Sequence, residues 1–159
     1  MAGDDFDVHP LWEFSLAHYR KPGVAAACLR LQDEHGFDVN VALACPWHEG
    51  RGGSPLTARD FTRLLEHDAR TRVLAIRPIR RASKAAPGGG ALYRTLKKAE
   101  LHAENLFQRA VYDALVERPC GKPSTGRASL RAYADHLEAS VSTSLFDAFL
   151  GKPTQSGPG

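Results

Sequence analysis

The feature that most constrains this chain is the recurrence of apolar residues at intervals of three and four. In residues 91–117 the stripe consists of Leu92, Leu96, Ala99, Ala103, Leu106 and Ala110. In residues 127–150 it consists of Leu130, Ala134, Leu137, Val141 and Leu145. Residues at this spacing share one face of an α-helix, whereas a strand would alternate with a period of two. The chain is therefore predicted to be all-α.

Four further helices are predicted before residue 91. The first covers about residues 10–19, with a proline at its start, where the missing N–H does no harm. The second covers about residues 23–34, and Gly36 can adopt the left-handed conformation that ends a helix. Asp38 is well placed to cap the start of the third helix, and Pro46 is expected to end or kink it.

The fourth helix is predicted to begin at a capping box formed by Thr57 and Asp60. It continues towards Ile76, and Pro78 is expected to kink or stop it. The whole pattern predicts a compact bundle of five or six helices with no sheet. We expect a single helical domain over residues 1–151 and a disordered tail over residues 152–159.

Composition and cysteine usage favour a cytoplasmic protein. No apolar run approaches the ~20 residues that span a bilayer, and the acidic N-terminus MAGDDFDVHP lacks the pattern of a signal peptide. Cys28, Cys45 and Cys120 are odd in number and form no C-x-x-C pair, which argues against a disulfide scaffold or a zinc ribbon. We expect Cys28 and Cys45 in the core, Cys120 at the surface, and neither a metal nor a cofactor.

The net charge of +3 is distributed unevenly. Residues 1–69 hold 6 Lys/Arg against 11 Asp/Glu, and residues 99–159 hold 6 against 7. Residues 70–98 hold 9 basic residues and no acid. The predicted basic surface consists of Arg70, Arg72, Arg77, Arg80, Arg81, Lys84, Arg94, Lys97 and Lys98.

Three interpretations of this basic segment stay open. It is a solvated face with some arginines used internally, a surface for an acidic protein or for the chain's own acidic N-terminal third, or a surface for RNA. RNA readers usually add exposed aromatic rings, and the segment contains only Tyr93. The flexible loop at residues 83–90, SKAAPGGG, could cradle a phosphate. It lacks the Lys-Ser/Thr ending of a nucleotide-hydrolysing P-loop.

A second candidate site is polar. The stretch LQDEHGFDVN, residues 31–40, does not fit an EF-hand, because the sixth and twelfth positions from Asp33 are Asp38 and Ala44. A corner between two helices explains Gly36 and Asp38, which leaves the roles of Asp33 and Asn40 open. The possible polar pocket consists of Gln32, Asp33, Asp38, Asn40, Glu100 and Glu104.

Glu100 and Glu104 lie one helical turn apart, at the margin of the apolar face of their helix. Carboxylates in that position need partners, which we expect to be arginines of the preceding helix (Arg77, Arg80 or Arg81) or Lys97. A metal or acid–base pair is disfavoured because no histidine completes it. The run Cys45-Pro46-Trp47-His48 shows no third group that would orient a nucleophile and its base, so the sequence does not support an enzyme.

Two blocks of this sequence resemble a known family. The first contains Trp12, Phe14-Ser15-Leu16, Tyr19, Pro22-Gly23-Val24, Cys28-Leu29, Leu31-Gln32-Asp33, Gly36 and Asp38-Val39-Asn40. The second is LYRTLKKAELHAE, residues 92–104. Both are similar to a small bacterial family of conserved hypothetical proteins, a domain of unknown function, although Pro46 replaces an apolar helix former. The resemblance implies an all-helical cytoplasmic protein and carries no catalytic residue.

Two main functional hypotheses follow. The first is a non-enzymatic binding or adaptor module whose basic surface meets an acidic protein or RNA. The alternative is a small enzyme or ligand-binding bundle that uses the polar pocket. A stability or assembly factor without a small-molecule site is a third possibility. The sequence identifies neither a small-molecule ligand nor an oligomeric state.

Overall fold

The computed structural model describes residues 5–152, which fold into eight α-helices without a β-sheet. The all-α prediction is thus confirmed for this part of the chain. Residues 153–159 of the predicted tail lie outside the described residues. Along these residues, none of the helices is both long enough and apolar enough to cross a bilayer. The helices are α1 Pro10–Tyr19, α2 Val24–His35, α3 Val39–Gly50, α4 Ala58–Leu65, α5 Asp68–Ala85, α6 Gly90–Leu115, α7 Arg127–His136 and α8 Thr143–Phe149.

The prediction of five or six helices is wrong, because two predicted helices are each divided. The fourth divides into α4 and α5, where the His67 ring accepts a hydrogen bond from the Ala69 N–H at 3.1 Å and caps a new helix. The last divides into α7 and α8. Glu138 adopts a left-handed conformation after α7 (φ 53°), and the Ser142 hydroxyl caps the start of α8.

Neither internal proline ends its helix. The third helix continues through Pro46 to Gly50, and α5 continues through Pro78 to Ala85. A proline inside a helix costs about 3 kcal/mol because it removes one hydrogen bond and crowds the preceding turn. In α3 every residue from Asn40 to Glu49 is buried, so packing on all sides offsets that cost.

An aromatic cluster forms the core next to α3. The ring of Tyr133 lies between Phe37 and Phe61, with centroid separations of 4.5 and 4.6 Å. Its hydroxyl accepts a hydrogen bond from the Asp38 N–H at 2.9 Å, so the phenol is buried without losing its polar partner. Cys28 and Cys45 are buried, Cys120 is exposed and all three are free thiols, as predicted.

Helices α5 and α6 form an antiparallel hairpin that extends beyond this core. The 26 residues of α6 span roughly 39 Å, and the part nearer its C-terminus packs on α1 and α3. None of its first ten residues, 90–99, is buried. In α5, Ser83 is the only buried residue after Val73. Residues 79–98 therefore project from the body, and we call them the hairpin tip.

Candidate functional site

Ion pairs join the two arms of the hairpin. The Arg77 guanidinium donates to Glu100 at 2.9 Å and to Glu104 at 3.3 Å. Arg80 donates to the second carboxylate oxygen of Glu100. The predicted pairing of the two glutamates with arginines of the preceding helix is therefore confirmed.

The nine-residue basic surface predicted from sequence is consequently too large. Arg77 and Arg80 are directed into the hairpin, and Arg70 donates to the buried Asp38 carboxylate at 2.7 Å. Three of the nine charges are thus neutralised inside the fold, because buried carboxylates need cationic partners. The other six residues are exposed: Arg72, Arg81, Lys84, Arg94, Lys97 and Lys98.

The hairpin tip concentrates most of the remaining charge. Residues 79–98 contain six Lys/Arg and no Asp or Glu, and Arg80 among them forms an ion pair between the arms. Arg81 is half-exposed and lies 3.6 Å from Asp33 on α2. The Lys84 ammonium lies 6.0 Å from the centre of the Tyr93 ring. The tip is therefore a basic projection whose one aromatic ring lies next to an ammonium group.

Exposed apolar side chains accompany these charges. Ile79 is 57% exposed, Leu92 54% and Leu106 50%. Large apolar residues at single surface positions are normal. Leu74 and Leu101 are exposed as well, at 43% and 40%. Five such residues on one helical hairpin are a feature that a binding surface would use.

The two glutamates of the hairpin differ in their electrostatics. Burial opposes the ionisation of Glu100, but hydrogen bonds from Arg80 and Arg77 outweigh it and lower the pKa of that carboxyl. Burial and the neighbouring Glu100 charge raise the pKa of Glu104 to about 7, against the attraction of Arg77. At neutral pH one carboxylate is fixed as an anion and the other is close to its titration point.

The residues of the predicted polar pocket bond to separate partners. Asp33 is exposed and faces Arg81, and Gln32 is half-buried. The Asp38 carboxylate caps α3 by accepting from the Asn40 N–H at 3.0 Å, as predicted for a helix corner. These contacts give Asp38 a structural role at the N-terminus of α3.

Asn40 belongs to a different, buried network. Its side-chain oxygen accepts from the Gln108 amide at 3.0 Å, and the Gln108 oxygen accepts from the Ser15 hydroxyl at 2.9 Å. This chain of hydrogen bonds joins α1, α3 and α6. The sequence did not indicate this network, because Asn40 and Gln108 are 68 residues apart and Ser15 and Gln108 are 93 residues apart.

Two clefts of the described residues lie elsewhere. One, of about 570 Å³, is lined around the α7–α8 connection by residues such as Arg131 and Ser142. The other, of about 280 Å³, lies between α4 and the end of α6 and includes Asp60 and Arg118. Neither is lined by a residue of the predicted polar pocket.

Glu49 is a buried charged residue that sequence reasoning missed. One carboxylate oxygen accepts from the Ser124 hydroxyl at 2.7 Å and the other from the Ser129 N–H at 2.8 Å. The carboxylate therefore occupies the N-terminal end of α7, where unpaired N–H groups favour an anion. The available signal was an acid at helical spacing within an otherwise apolar helix.

Cys45 and His48 each contact a backbone carbonyl. The Cys45 thiol donates to the Val41 carbonyl at 3.5 Å, and burial raises the pKa of that thiol well above its ordinary value. The His48 ring lies 3.0 Å from the Ser54 carbonyl oxygen. Within residues 5–152 no group of three or more His, Cys, Asp or Glu is arranged to hold a metal ion.

Comparison with known proteins identifies the family. A family described as "Protein of unknown function (DUF2390)" matches residues 10–111, more than half of the chain. The chain belongs to this family. The matched part of this DUF2390 protein covers α1 to α5, the whole hairpin tip and most of α6, and stops before α7. No curated protein and no solved structure is significantly similar to the chain.

Proposed function

We propose that this DUF2390 protein is a non-enzymatic binding module of the cytoplasm that presents its hairpin tip to an acidic protein. One observation carries the proposal. Residues 79–98 combine six Lys/Arg and no acid with only one buried side chain, Ser83, on a pair of helices that extends beyond the core.

The charge of the tip favours a binding role. The six positive charges of residues 79–98 repel one another, because no negative charge lies among them in the sequence. An acidic partner would relieve that repulsion and would be attracted over a distance of about 10 Å in ordinary salt. Arg77 and Arg80 bond to Glu100 and so hold the two arms together at the base of the tip.

A protein partner is favoured over RNA. Tyr93 is the only aromatic residue of the tip, and it is half-buried with Lys84 beside its ring. Proteins that read RNA usually stack bases on exposed aromatic rings. Exposed isoleucine and leucine, as at Ile79 and Leu92, suit the apolar part of a protein interface.

The alternative of a small enzyme or ligand-binding bundle is less well supported. It requires Asp33, Asn40, Glu100 and Glu104 around one cavity. These side chains bond instead to α5, to Gln108 and to the hairpin arginines. No observation therefore favours it over the binding module.

Charge reversal at the tip tests the proposal. The tip variant carries Arg81→Glu, Lys84→Glu, Arg94→Glu and Lys97→Glu. A matched control reverses four exposed basic residues elsewhere: Arg20, Arg59, Lys122 and Arg131. Each protein is used for affinity capture from native lysate, with and without nuclease and at low and high salt.

We expect a partner protein that is captured by wild type and by the control but not by the tip variant. Its capture should survive nuclease and weaken as salt rises. Capture of the same proteins by all three forms would contradict the proposal. Material that disappears on nuclease treatment would contradict it in favour of RNA.

A further inference from the structure

Residues 5–8 form a strap without helical structure that lies along one side of α6. A single side chain holds the main chain of Asp7 in both directions. The Asp7 N–H donates to the Asn105 Oδ1, and the Asp7 carbonyl accepts from the Asn105 Nδ2, each at 2.9 Å. Asn105 is only 1% exposed. This buried amide therefore pairs with a peptide backbone as the opposite residue of a neighbouring strand would.

Two side chains of the strap have defined positions beside this amide. The Phe6 ring stacks on His102 at a centroid distance of 4.1 Å and on Trp12 of α1 at 5.5 Å. The Asp7 carboxylate lies 3.3 Å from the Arg109 guanidinium. An aromatic slot and a cationic position thus lie next to each other along the strap.

The residues that hold the strap form one continuous groove. His102, Asn105 and Arg109 recur at intervals of three and four, so they lie on one stripe of α6. Trp12 of α1 closes the side next to Phe6. We call these four residues the strap groove. It offers a bonding pair for a backbone, a slot for an aromatic ring and a cation for a carboxylate, which are the contacts that recognise a short extended peptide.

The strap itself is weakly anchored. Asp5 and Val8 are exposed, and Phe6 and Asp7 are only half-buried. The ring of His9, which follows the strap, is buried and caps α1 by accepting from a backbone N–H of that helix at 3.3 Å. His9 therefore stays with α1 when the strap opens, and opening exposes little core surface.

The groove does not depend on the strap. Arg109 also donates to Asp113, one turn further along α6, at 3.0 Å, so its charge keeps a partner when the strap leaves. The family match covers residues 10–111, which include the whole strap groove but none of the strap. The groove therefore belongs to the family region of the chain, and its occupant in this structure does not.

We infer that the strap groove is a binding site for an extended segment of another protein, in which an aromatic residue is followed directly by aspartate or glutamate. The chain's own Phe6-Asp7 pair occupies the site until such a segment displaces it. The inference goes beyond the proposed function and does not rest on it, because the groove uses no residue of the hairpin tip.

The tethered strap decides which occupant succeeds. A segment on a short tether has an effective concentration on the order of millimolar. A second copy of this chain offers the same sequence at a lower concentration, so it does not displace the strap. A different protein succeeds by filling the aromatic slot better or by adding contacts beyond the groove.

The test titrates a fluorescent peptide with the sequence of residues 3–8, GDDFDV, against the full chain by fluorescence anisotropy. The open variant carries Phe6→Ser and Asp7→Ser, which release the strap and leave the residues of the groove unchanged. Wild type, whose strap competes with the peptide, is compared with it. The peptides GDDADV and GDDFKV examine the aromatic and the acidic position.

The open variant should bind GDDFDV saturably, and wild type should bind it about tenfold more weakly, because the groove is free only when the strap is open. GDDADV should not bind. In the open variant, Arg109→Glu should weaken GDDFDV and strengthen GDDFKV, whereas Arg59→Glu, at an exposed position of α4, should change neither. A groove with only a structural role would not show this exchange of charge preference. Circular dichroism checks that each variant is folded.

Several results would overturn the inference. Absence of saturable binding to the open variant, or equal affinity of wild type and open variant, would leave the strap as a fixed cover of α6. Equal binding of GDDFDV and GDDADV would reject recognition of an aromatic–acid pair. A wild-type dimer in sedimentation velocity that the open variant does not form would assign the groove to the strap of a second copy. The proposed function is tested separately, by charge reversal at the tip.

Discussion

Among single residues, Glu104 has the clearest consequence for stability. Its pKa is raised from the ordinary 4.5 to about 7 by burial and by Glu100. A raised pKa in the folded state contributes stability that is present below 4.5 and lost as pH rises through about 7. Glu104→Gln keeps an acceptor for Arg77 and removes this loss. We expect its stability relative to wild type, measured by urea unfolding, to increase from about pH 5 to about pH 8.

Glu100→Gln is the matched control, and its expected effect on stability has the opposite sign. The pKa of Glu100 is lowered because the arginine hydrogen bonds outweigh its burial. The stability that ionised Glu100 contributes is present at pH values above its ordinary pKa of 4.5. It is lost as the pH falls through the lower pKa that this carboxyl has in the folded protein. The substitution should therefore destabilise the protein at about pH 8. Equal effects of the two substitutions at that pH would contradict this account of the hairpin.

A second prediction at this scale concerns the glycine that precedes α7. Gly126 has φ 90°, and a Cβ there would lie 2.4 Å from the Cα of Pro46. Gly23 precedes α2 with φ 81° and has open space around its Cβ position. Gly126→Ala should cost about 3 kcal/mol or more in unfolding free energy, against about 1–2 kcal/mol for Gly23→Ala. Similar losses in denaturant unfolding would show that Pro46 yields to the new methyl group.

Local residue roles could be predicted from sequence, and roles set by distant partners could not. The Thr57–Asp60 capping box and the Asp38 cap depend on residues within three positions of each other, and both are present. The glutamate–arginine pairing followed from a helical wheel and a short connection. The partner of Asn40 could not be predicted, because it depends on how α3 and α6 pack together.

At the scale of elements, the hairpin arms depend on Arg77. It bonds to both glutamates of α6 and its side chain is only 15% exposed. Arg77→Met leaves two carboxylates without that cation, which we expect to cost about 2 kcal/mol in unfolding free energy. Arg72→Met, at an exposed position of the same helix, should change it by less than about 0.5 kcal/mol. Thermal and urea unfolding of the two variants would check the difference, and comparable losses would argue against an ion-paired interior.

The helix boundaries show what a periodic pattern can and cannot predict. The first helix has the predicted limits, Pro10 and Tyr19, because a proline and the KPG turn define them locally. The helix ends that were one expectation for Pro46 and Pro78 do not occur, because burial of Pro46 and a solvent-facing position of Pro78 allow each helix to continue. The break after His136 was missed because Leu137 and Val141 keep the helical spacing while the chain turns at Glu138.

For the whole molecule, three buried histidines predict sensitivity to acid. Burial lowers the pKa of His9, His18 and His48 below the ordinary 6.5. Their neutral forms contribute stability above 6.5, and that stability is lost as pH falls towards the lower folded values. Glu104 has the opposite effect, because the stability that it contributes increases as the pH falls. In the Glu104→Gln background the unfolding free energy should therefore fall between about pH 7.5 and pH 5.5, and a flat profile in urea unfolding would contradict this.

The scarcity of buried side chains in the hairpin tip also separates it kinetically from the rest of the fold. Ser83 is the only buried residue among residues 79–98, so opening these turns exposes little apolar surface. Amide hydrogens there should exchange with solvent by local opening, at rates that core substitutions such as Gly126→Ala leave unchanged. Amides of α3 should exchange only with global unfolding. The arm that we propose for binding can thus fray and re-form while the body stays folded.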